Sequence, residues 1–436
     1  MSKNPPTIYF DVTQLVHWQG SLAGIPRVMY ELAIRFNDKN NVVFVSWVKE
    51  VKDYCEVDLM KSVGDGSGIT YIQKNVKENN KGHSQKDDTR LAMPRKYAVL
   101  KKAVKATLKV ARKVSPSVEK DLRLKMAEKA SGTYERAGIE SKDKVFIPWG
   151  EWWDENFLKL IENLMSEGVA VSTVIHDVGP MVTPHLSGHS SESLAEYCRR
   201  IVPSCDEVLV VSQNTKKDLT NWLKNNSLNV PSITVIRLGD DFKIATSKKP
   251  DSKDFIDAGV KGKDYLLSVG TVELKKNHQL FFYVYHLARE RGVNLPKLLV
   301  VGRSGWRTEI LEETIKSDPY LSEKIFFLHD VDDNELSWLY DNCLFTILAS
   351  MYEGWGIPIA ESICRGVPCL ASGVTSMVEI APGLVDHFSP YSADECLDGV
   401  TRLLDTTYRD RKTKSLSKYQ ITTWDDTYSQ VEKVIE

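Results

Sequence analysis

The chain has 436 residues, more than one ordinary hydrophobic core holds, so two domains are expected. Its 42% hydrophobic and 27% charged content fits a soluble globular enzyme, and a net charge of −2 gives no global basicity for nucleic acid. Seven cysteines, an odd number with no CxxC pair, point to a reducing, cytosolic setting, and no apolar run approaches the length of a membrane span.

Met1-Ser-Lys-Asn-Pro-Pro6 runs straight into Thr7–Val12, which reads as the first strand, so no signal peptide is expected. Gly20–Gly24 is a loop, Ile25–Phe36 has helical periodicity and Asn41–Val48 reads as the next strand, a βαβ opening. The loop Gly20-Ser-Leu-Ala-Gly24-Ile-Pro-Arg27 is not G-x-G-x-x-G, so the dinucleotide fingerprint is absent. Gly24 would let backbone approach a donor phosphate or an acceptor. Arg27 is either a contact to the same groups or a solvated helix residue.

After a polar stretch, Asn75–Arg90, lysine and arginine become dense between Arg95 and Lys125. Leu100, Val104, Leu108, Ala111 and Val114 recur there at helical spacing. A basic amphipathic helix suits an anionic membrane surface, each cation close to it contributing about 1 kcal/mol. The plainer alternative is a solvated helix on the first domain. Aromatics are too scarce in the segment for a strong nucleic-acid reading.

Further strand-like runs are Val145–Pro148, Val169–Ile175, Glu207–Val211 and Ile233–Ile236. Gly239–Lys263 turns polar and reads as the interdomain linker. A second series follows: Tyr265–Val269, Lys297–Val301, Lys324–Leu328, Cys343–Ala349 and Pro368–Ala371, with helical patterns such as His278–Arg291 between them. This alternation predicts an α/β protein with parallel sheets covered by helices on both faces.

Candidate site residues gather at predicted strand ends. His176-Asp177 ends Val169–Ile175; a lone histidine there is functional or structural, and His185 and His189 nearby lack any accompanying metal-ligand pattern. Ser212 and Thr215 suit a helix N-cap. Lys275 and Lys276 stand between a strand-end glycine, Gly270, and a helix, where each charge-assisted bond to a pyrophosphate is worth about 1.5–3 kcal/mol. Arg303, in the loop Gly302-Arg-Ser-Gly-Trp306, reads equally as a phosphate or nucleoside contact and as the neighbour of a core-capping tryptophan. Asp330-Val-Asp332 precedes a helical pattern, so these aspartates begin a helix rather than hold a metal. Ser376-Met-Val-Glu379 reads as a capping box.

The most informative stretch is Ser350-Met-Tyr-Glu353-Gly-Trp-Gly-Ile-Pro-Ile-Ala-Glu361. Pro358 suits the first position of a helix, which places Glu353 on the loop after a buried strand and Glu361 in the first turns of the helix. In an open parallel sheet that rim is where ligands bind, and helix N-terminal amides attract phosphate. Carboxylates accept hydrogen bonds from vicinal hydroxyls, so a nucleotide sugar meets both demands.

This stretch resembles the glutamate–seven–glutamate signature of family-4 glycosyltransferases of the retaining GT-B type, and the likeness extends through Arg365–Ile380. Gly270–Asn277 is similar to the family's G-T-x-E-P-R-K-N, with Lys276 on the phosphate-binding lysine, Lys275 where an arginine is usual and Leu274 where a proline is usual. His176-Asp177-Val-Gly-Pro180 resembles H-D-x-x-P, and Ser212–Lys216 resembles S-x-x-S/T-K. Gly24-Ile-Pro-Arg27 stands where Gly-Ile-Gly-Arg is usual.

The resemblance implies two facing Rossmann-like domains with a deep cleft. Residues 1–245 would bind acceptor and carry a basic helical insertion at about 75–130. Residues 246–412 would bind the nucleotide sugar, and 413–436 would form a helix returning to the first domain. It implies that Glu361 binds ribose, Lys276 and Lys275 the pyrophosphate, Glu353 the sugar, and that His176 approaches the sugar. Arg303, Gly354, Trp355, Gly356 and Ile357 would complete the donor site, with Gly24 and Arg27 on the acceptor or phosphate loop. No metal and no cofactor is expected. The likeness is to the mannosyl- or rhamnosyltransferase branch, and the expected reaction moves a sugar, with mannose from GDP-mannose as first choice, to a lipid-linked glycan acceptor in O-antigen or capsule synthesis, at the cytoplasmic face of the membrane. A GT-B nucleotide-sugar epimerase and a non-catalytic membrane scaffold are the alternatives.

Overall fold

The computed structural model describes residues 5–18, 24–60, 68–71, 135–187, 190–241, 247–305 and 308–436. The basic segment 95–125, the insertion it belongs to, His189 and Trp306 lie outside the described residues. The chain divides into two units, Met1–Trp18 with Ala33–Val171 and Gln19–Leu32 with Ser172–Glu436.

In the first unit the strands are β1 (Ile8–Asp11), β2 (Val42–Val48), β3 (Asp53–Met60), β4 (Gly68–Tyr71) and β5 (Lys144–Ile147), in the order β4-β3-β2-β1-β5. β1 pairs in parallel with β2 and β5, from Ile8 opposite Val42 and Lys144. The sheet is not parallel throughout, as the alternation predicted: β2–β3 and β3–β4 are antiparallel. Phe10 lies between Phe36, Phe44 and Phe146, with ring centroids 5.1–5.5 Å away. The helix Glu155–Ser166 buries Phe157, Leu158, Ile161 and Leu164, an i, i+4, i+7 stripe, and Asp154 caps it by accepting from the Asn156 N–H at 3.0 Å.

β6 (Ala170–Ile175) straddles the division, and β7 (Glu207–Val210) and β8 (Ile233–Val235) follow it in parallel. The helix Trp424–Ile435 is tied to the segment after β8: the Trp424 N–H donates to Asp241 at 2.8 Å and the Thr427 hydroxyl to the Arg237 carbonyl at 2.9 Å.

A six-stranded sheet forms the rest of the second unit: β9 (Tyr265–Val269), β10 (Lys297–Val301), β11 (Ile325–Leu328), β12 (Phe345–Leu348), β13 (Cys369–Ser372) and β14 (Asp386–Phe388). Their order is β11-β10-β9-β12-β13-β14, and every pairing is parallel. Leu266, Leu298, Val300, Phe345 and Ile347 enter one buried cluster, while Tyr265, Leu267, Leu299 and Val301 enter another. Apolar residues thus alternate between two covered faces, which is why β9 to β13 are mostly apolar rather than alternating with polar residues. The polar stretch predicted as a linker contains a helix, Lys253–Ala258, capped by Ser252. Among the described residues no helix is long and apolar enough to cross a membrane.

Candidate functional site

β12 ends beside Ser350, and the next helix, Ile357–Cys364, begins seven residues later in the motif. Gly356 makes the turn between them at φ +112°, a conformation that disfavours any side chain. Pro358 occupies the second helical position rather than the first, and its missing N–H is equally harmless there. Glu353 lies on the loop and is 8% exposed. Its Oε1 accepts from the Lys276 Nζ at 2.6 Å and from the Ser350 hydroxyl at 2.6 Å. The backbone around it is pinned as well: the Ser376 hydroxyl donates to the carbonyls of Glu353 and Trp355 at 2.9 and 2.8 Å.

Lys276 reaches this loop because β9 ends in a tight pair of glycines. Gly302 at the end of β10 lies so close to Gly270 that an added Cβ would sit 2.0 Å from the Gly270 carbonyl oxygen. Asn277, at φ +58°, then reverses the chain and donates its side-chain amide to the Ala349 and Pro390 carbonyls at 3.1 and 2.9 Å. The Met351 N–H donates to the Lys275 carbonyl at 2.8 Å. Lys275 itself pairs with Asp177 at 3.5 Å and Glu273 at 3.7 Å, and Asp177 foremost holds its ammonium above the usual lysine range.

Glu361 is buried on the helix, 7% exposed. Arg27 donates to its Oε1 at 3.1 Å and the Tyr340 hydroxyl to its Oε2 at 2.8 Å. Burial raises its carboxyl above the usual range, against the pull of Arg27. A carboxylate has about four acceptor directions, so two donors leave capacity for ligand hydroxyls.

The His176 segment meets the Glu353 loop through backbone. A Cβ on Gly354 would sit 2.0 Å from the His176 carbonyl oxygen and 2.9 Å from the Asp177 Cβ. His176 is 6% exposed. Trp355 is buried beneath the Arg237 guanidinium, 5.6 Å from the ring centroid, and Ile357 is half-buried at the helix start. Two candidates lie apart in character. Gly24, at φ +61°, has nothing within 4 Å of a would-be Cβ, and Arg303 is exposed, its carbonyl accepting from the Val272 N–H at 2.9 Å.

The Ser376–Glu379 spacing does not form a capping box. The Ser376 hydroxyl serves the Glu353 loop, while Glu379 accepts from the Gln213 and Asn214 N–H groups at 2.8 and 2.7 Å, at the start of the helix Gln213–Asn225. Ser212 does cap that helix, and Asp332 forms a capping box with Glu335. Residues the sequence did not single out are Ser350, Asp177 and Tyr340. The first two lie within the quoted motif stretches without an assigned role, and their polarity at strand ends is a usable signal. Tyr340 lies 21 residues from Glu361 with no local pattern joining them.

Residues 251–421 match the family model described as Glycosyl transferases group 1. The chain is 24% identical over 237 residues to the serotype-specific mannosyltransferase WbdA of Escherichia coli, a match covering 52% of this chain and 29% of that protein. It is 33% identical over 117 residues to the O-antigen chain mannosyltransferase B of Escherichia coli, covering 27% of this chain and 30% of that protein. The aligned stretches thus span less than a third of either relative. Anabaena HepE, solved in complex with UDP and glucose, superposes with a TM-score of 0.56 at 13% identity over 98% of each chain. Residues 251–421 are thus similar to group 1 glycosyl transferases, part of the chain is similar to mannosyltransferases, and its fold is that of the GT-B structures it superposes on.

Proposed function

We propose that this chain transfers a sugar from a nucleoside-diphosphate sugar to a hydroxyl of a lipid-linked glycan, with GDP-mannose as donor and O-antigen or capsule synthesis as setting. The observation that carries this reading is the pairing of Lys276 with Glu353 at the carboxyl ends of β9 and β12, with Lys275 adjoining and Glu361 on the helix that follows the Glu353 loop. The mannosyltransferase relatives support the choice of sugar.

In this reading Glu361 accepts hydrogen bonds from ribose hydroxyls. Lys276, Lys275 and the N-terminal amides of Ile357–Cys364 stabilise the diphosphate as it departs with the bonding electrons. The acceptor oxygen bonds to the anomeric carbon on the face the phosphate leaves, and its proton passes to the departing diphosphate. Glu353 holds sugar hydroxyls, and its contact with Lys276 couples sugar position to phosphate charge. His176 approaches the same sugar. Charge neutralisation by lysines and helix amides makes a divalent cation unnecessary in this scheme.

Transfer of radiolabelled mannose from GDP-mannose into membrane lipid extract tests the assignment. Glu353→Gln, which keeps the side chain's shape, is expected to lower transfer at least ~100-fold while the circular dichroism of the fold is unchanged. EDTA is expected to leave the wild-type rate intact. Full transfer by Glu353→Gln refutes its assigned role, and loss of transfer in EDTA refutes the metal-free scheme.

A further inference from the structure

The first unit carries an aromatic and polar cluster that the donor chemistry does not use. β5 ends at Ile147 and runs into Pro148-Trp149-Gly-Glu151-Trp152-Trp153-Asp154. β5 is the parallel neighbour of β1, so this loop lies on the carboxyl-end rim of the first sheet, beside Thr13 and Gln14. The Trp149 and Trp152 rings stack at 5.7 Å with 15° between their planes, and Trp153 meets Trp152 edge-on at 6.5 Å. Trp153 is 56% exposed, and Trp149 and Trp152 are half-buried, so this is no core cluster.

Polar groups share the loop. The Gln14 side-chain amide donates to Glu151 Oε1. Burial, and then the nearby Asp11 and Asp154, push the Glu151 carboxyl up to about 7, so near neutrality it can donate or accept. The support beneath is rigid. Asp11 is fully buried and accepts from the Thr13 N–H at 2.8 Å and the Tyr54 hydroxyl at 2.9 Å. The Trp47 N–H donates to the Thr13 hydroxyl at 2.8 Å. A Cβ on Gly150 would press on Phe157 at 3.0 Å and on Trp152 at 3.2 Å, so glycine lets the indole settle. At the far end Asp154 pairs with Lys49 at 3.2 Å and caps its helix.

Flat indole faces beside a carboxyl group and a carboxamide match one chemistry closely. A pyranose has an apolar C–H face that stacks on an indole and a rim of hydroxyls that a carboxylate and an amide bind in pairs. A protein partner would call for a broader apolar patch and not for a half-buried glutamate at its centre.

We propose that Trp149, Trp152 and Trp153, with Glu151 and Gln14, form a saccharide-binding site in the first unit that takes a pyranose ring of the glycan acceptor. This assignment of acceptor chemistry rests on the glycosyltransferase reading.

Saturation-transfer NMR and tryptophan fluorescence with α-mannotriose, maltotriose and triacetylchitotriose test it on the full chain, with GDP titrated in parallel. The wild type is expected to bind at least one trisaccharide with a change in tryptophan emission. Trp152→Ala and Trp153→Ala should each weaken that binding at least tenfold and Glu151→Gln severalfold, with GDP affinity within twofold of wild type. Trp153 is exposed enough for its replacement to spare the fold. Trisaccharide binding that survives all three substitutions overturns the proposal, as does GDP binding with no trisaccharide bound. A wild type that binds trisaccharide through these residues but not GDP supports this site and overturns the donor reading.

Discussion

At the scale of single residues, the proposed donor site is a set of carboxylates each given a cation and a hydroxyl. Glu353 has Lys276 and Ser350, and Glu361 has Arg27 and Tyr340. Breaking one partner of such a buried pair leaves an uncompensated charge and typically costs about 3–5 kcal/mol. Arg27→Ala is therefore expected to lower the unfolding midpoint in urea, while Arg27→Ala combined with Glu361→Gln recovers much of the loss. A double variant as unstable as the sum of the singles would show that the pair is not coupled. Glu353, Glu361 and Lys276 were legible in the sequence because each sits in a short motif bounded by glycine or proline. Tyr340 and the Lys275–Asp177 pair were not, since each contact joins segments that only the folded sheet brings together.

At the scale of elements, loops are set by close backbone approaches. Gly354 passes over the His176 carbonyl with no room for a methyl group. Gly354→Ala is expected to lower the melting temperature by several degrees and to weaken nucleotide binding, because the loop that carries Glu353 must shift. An unchanged melting temperature would mean that the loop yields easily. Glu379 shows a different kind of long-range construction, a carboxylate from one segment capping the helix Gln213–Asn225 of another. Glu379→Ala should cost about 1–2 kcal/mol, read in thermal unfolding, since two helix N–H groups lose an ionised acceptor. The Ser-x-x-Glu spacing suggested a local capping box because spacing carries no information about a partner far along the chain. β3 escaped notice for a related reason. Its acidic residues Asp53, Glu56 and Asp58 break the apolar run by which the parallel strands announce themselves, and β14 is only three residues long. The apolar strands β9 to β13 were legible almost to the residue, because burial on both faces makes most of their residues apolar.

At the scale of the whole molecule, acidity acts through buried groups that change charge. His278, buried two residues from Lys276, has its imidazole pushed down to about 3, by burial first and the lysine second. Its folded value is depressed, so below about pH 6.5 the unfolded chain binds a proton that the folded chain refuses. The stability His278 contributes is complete above that pH and drains away as the pH falls towards 3. Asp11 works in the opposite direction: burial raises its carboxyl to about 6, so its contribution is complete below about pH 4 and is lost as the pH rises through 6. Melting temperatures measured from pH 7.5 to 4.5 should therefore fall less steeply for His278→Gln than for wild type. A parallel pair of curves would contradict the assignment of a neutral buried imidazole.

The central claim is that β9, β12 and the helix Ile357–Cys364 form a nucleoside-diphosphate site read by Glu361 and the two lysines. Calorimetric titration of the purified protein with GDP, UDP, dTDP and ADP, without added metal and beside Glu361→Gln, tests this most directly. The account predicts selective binding of GDP, weakened about tenfold or more in the variant by loss of the ribose contact. Binding of none of the four by a folded protein, or equal binding by wild type and variant, would contradict it.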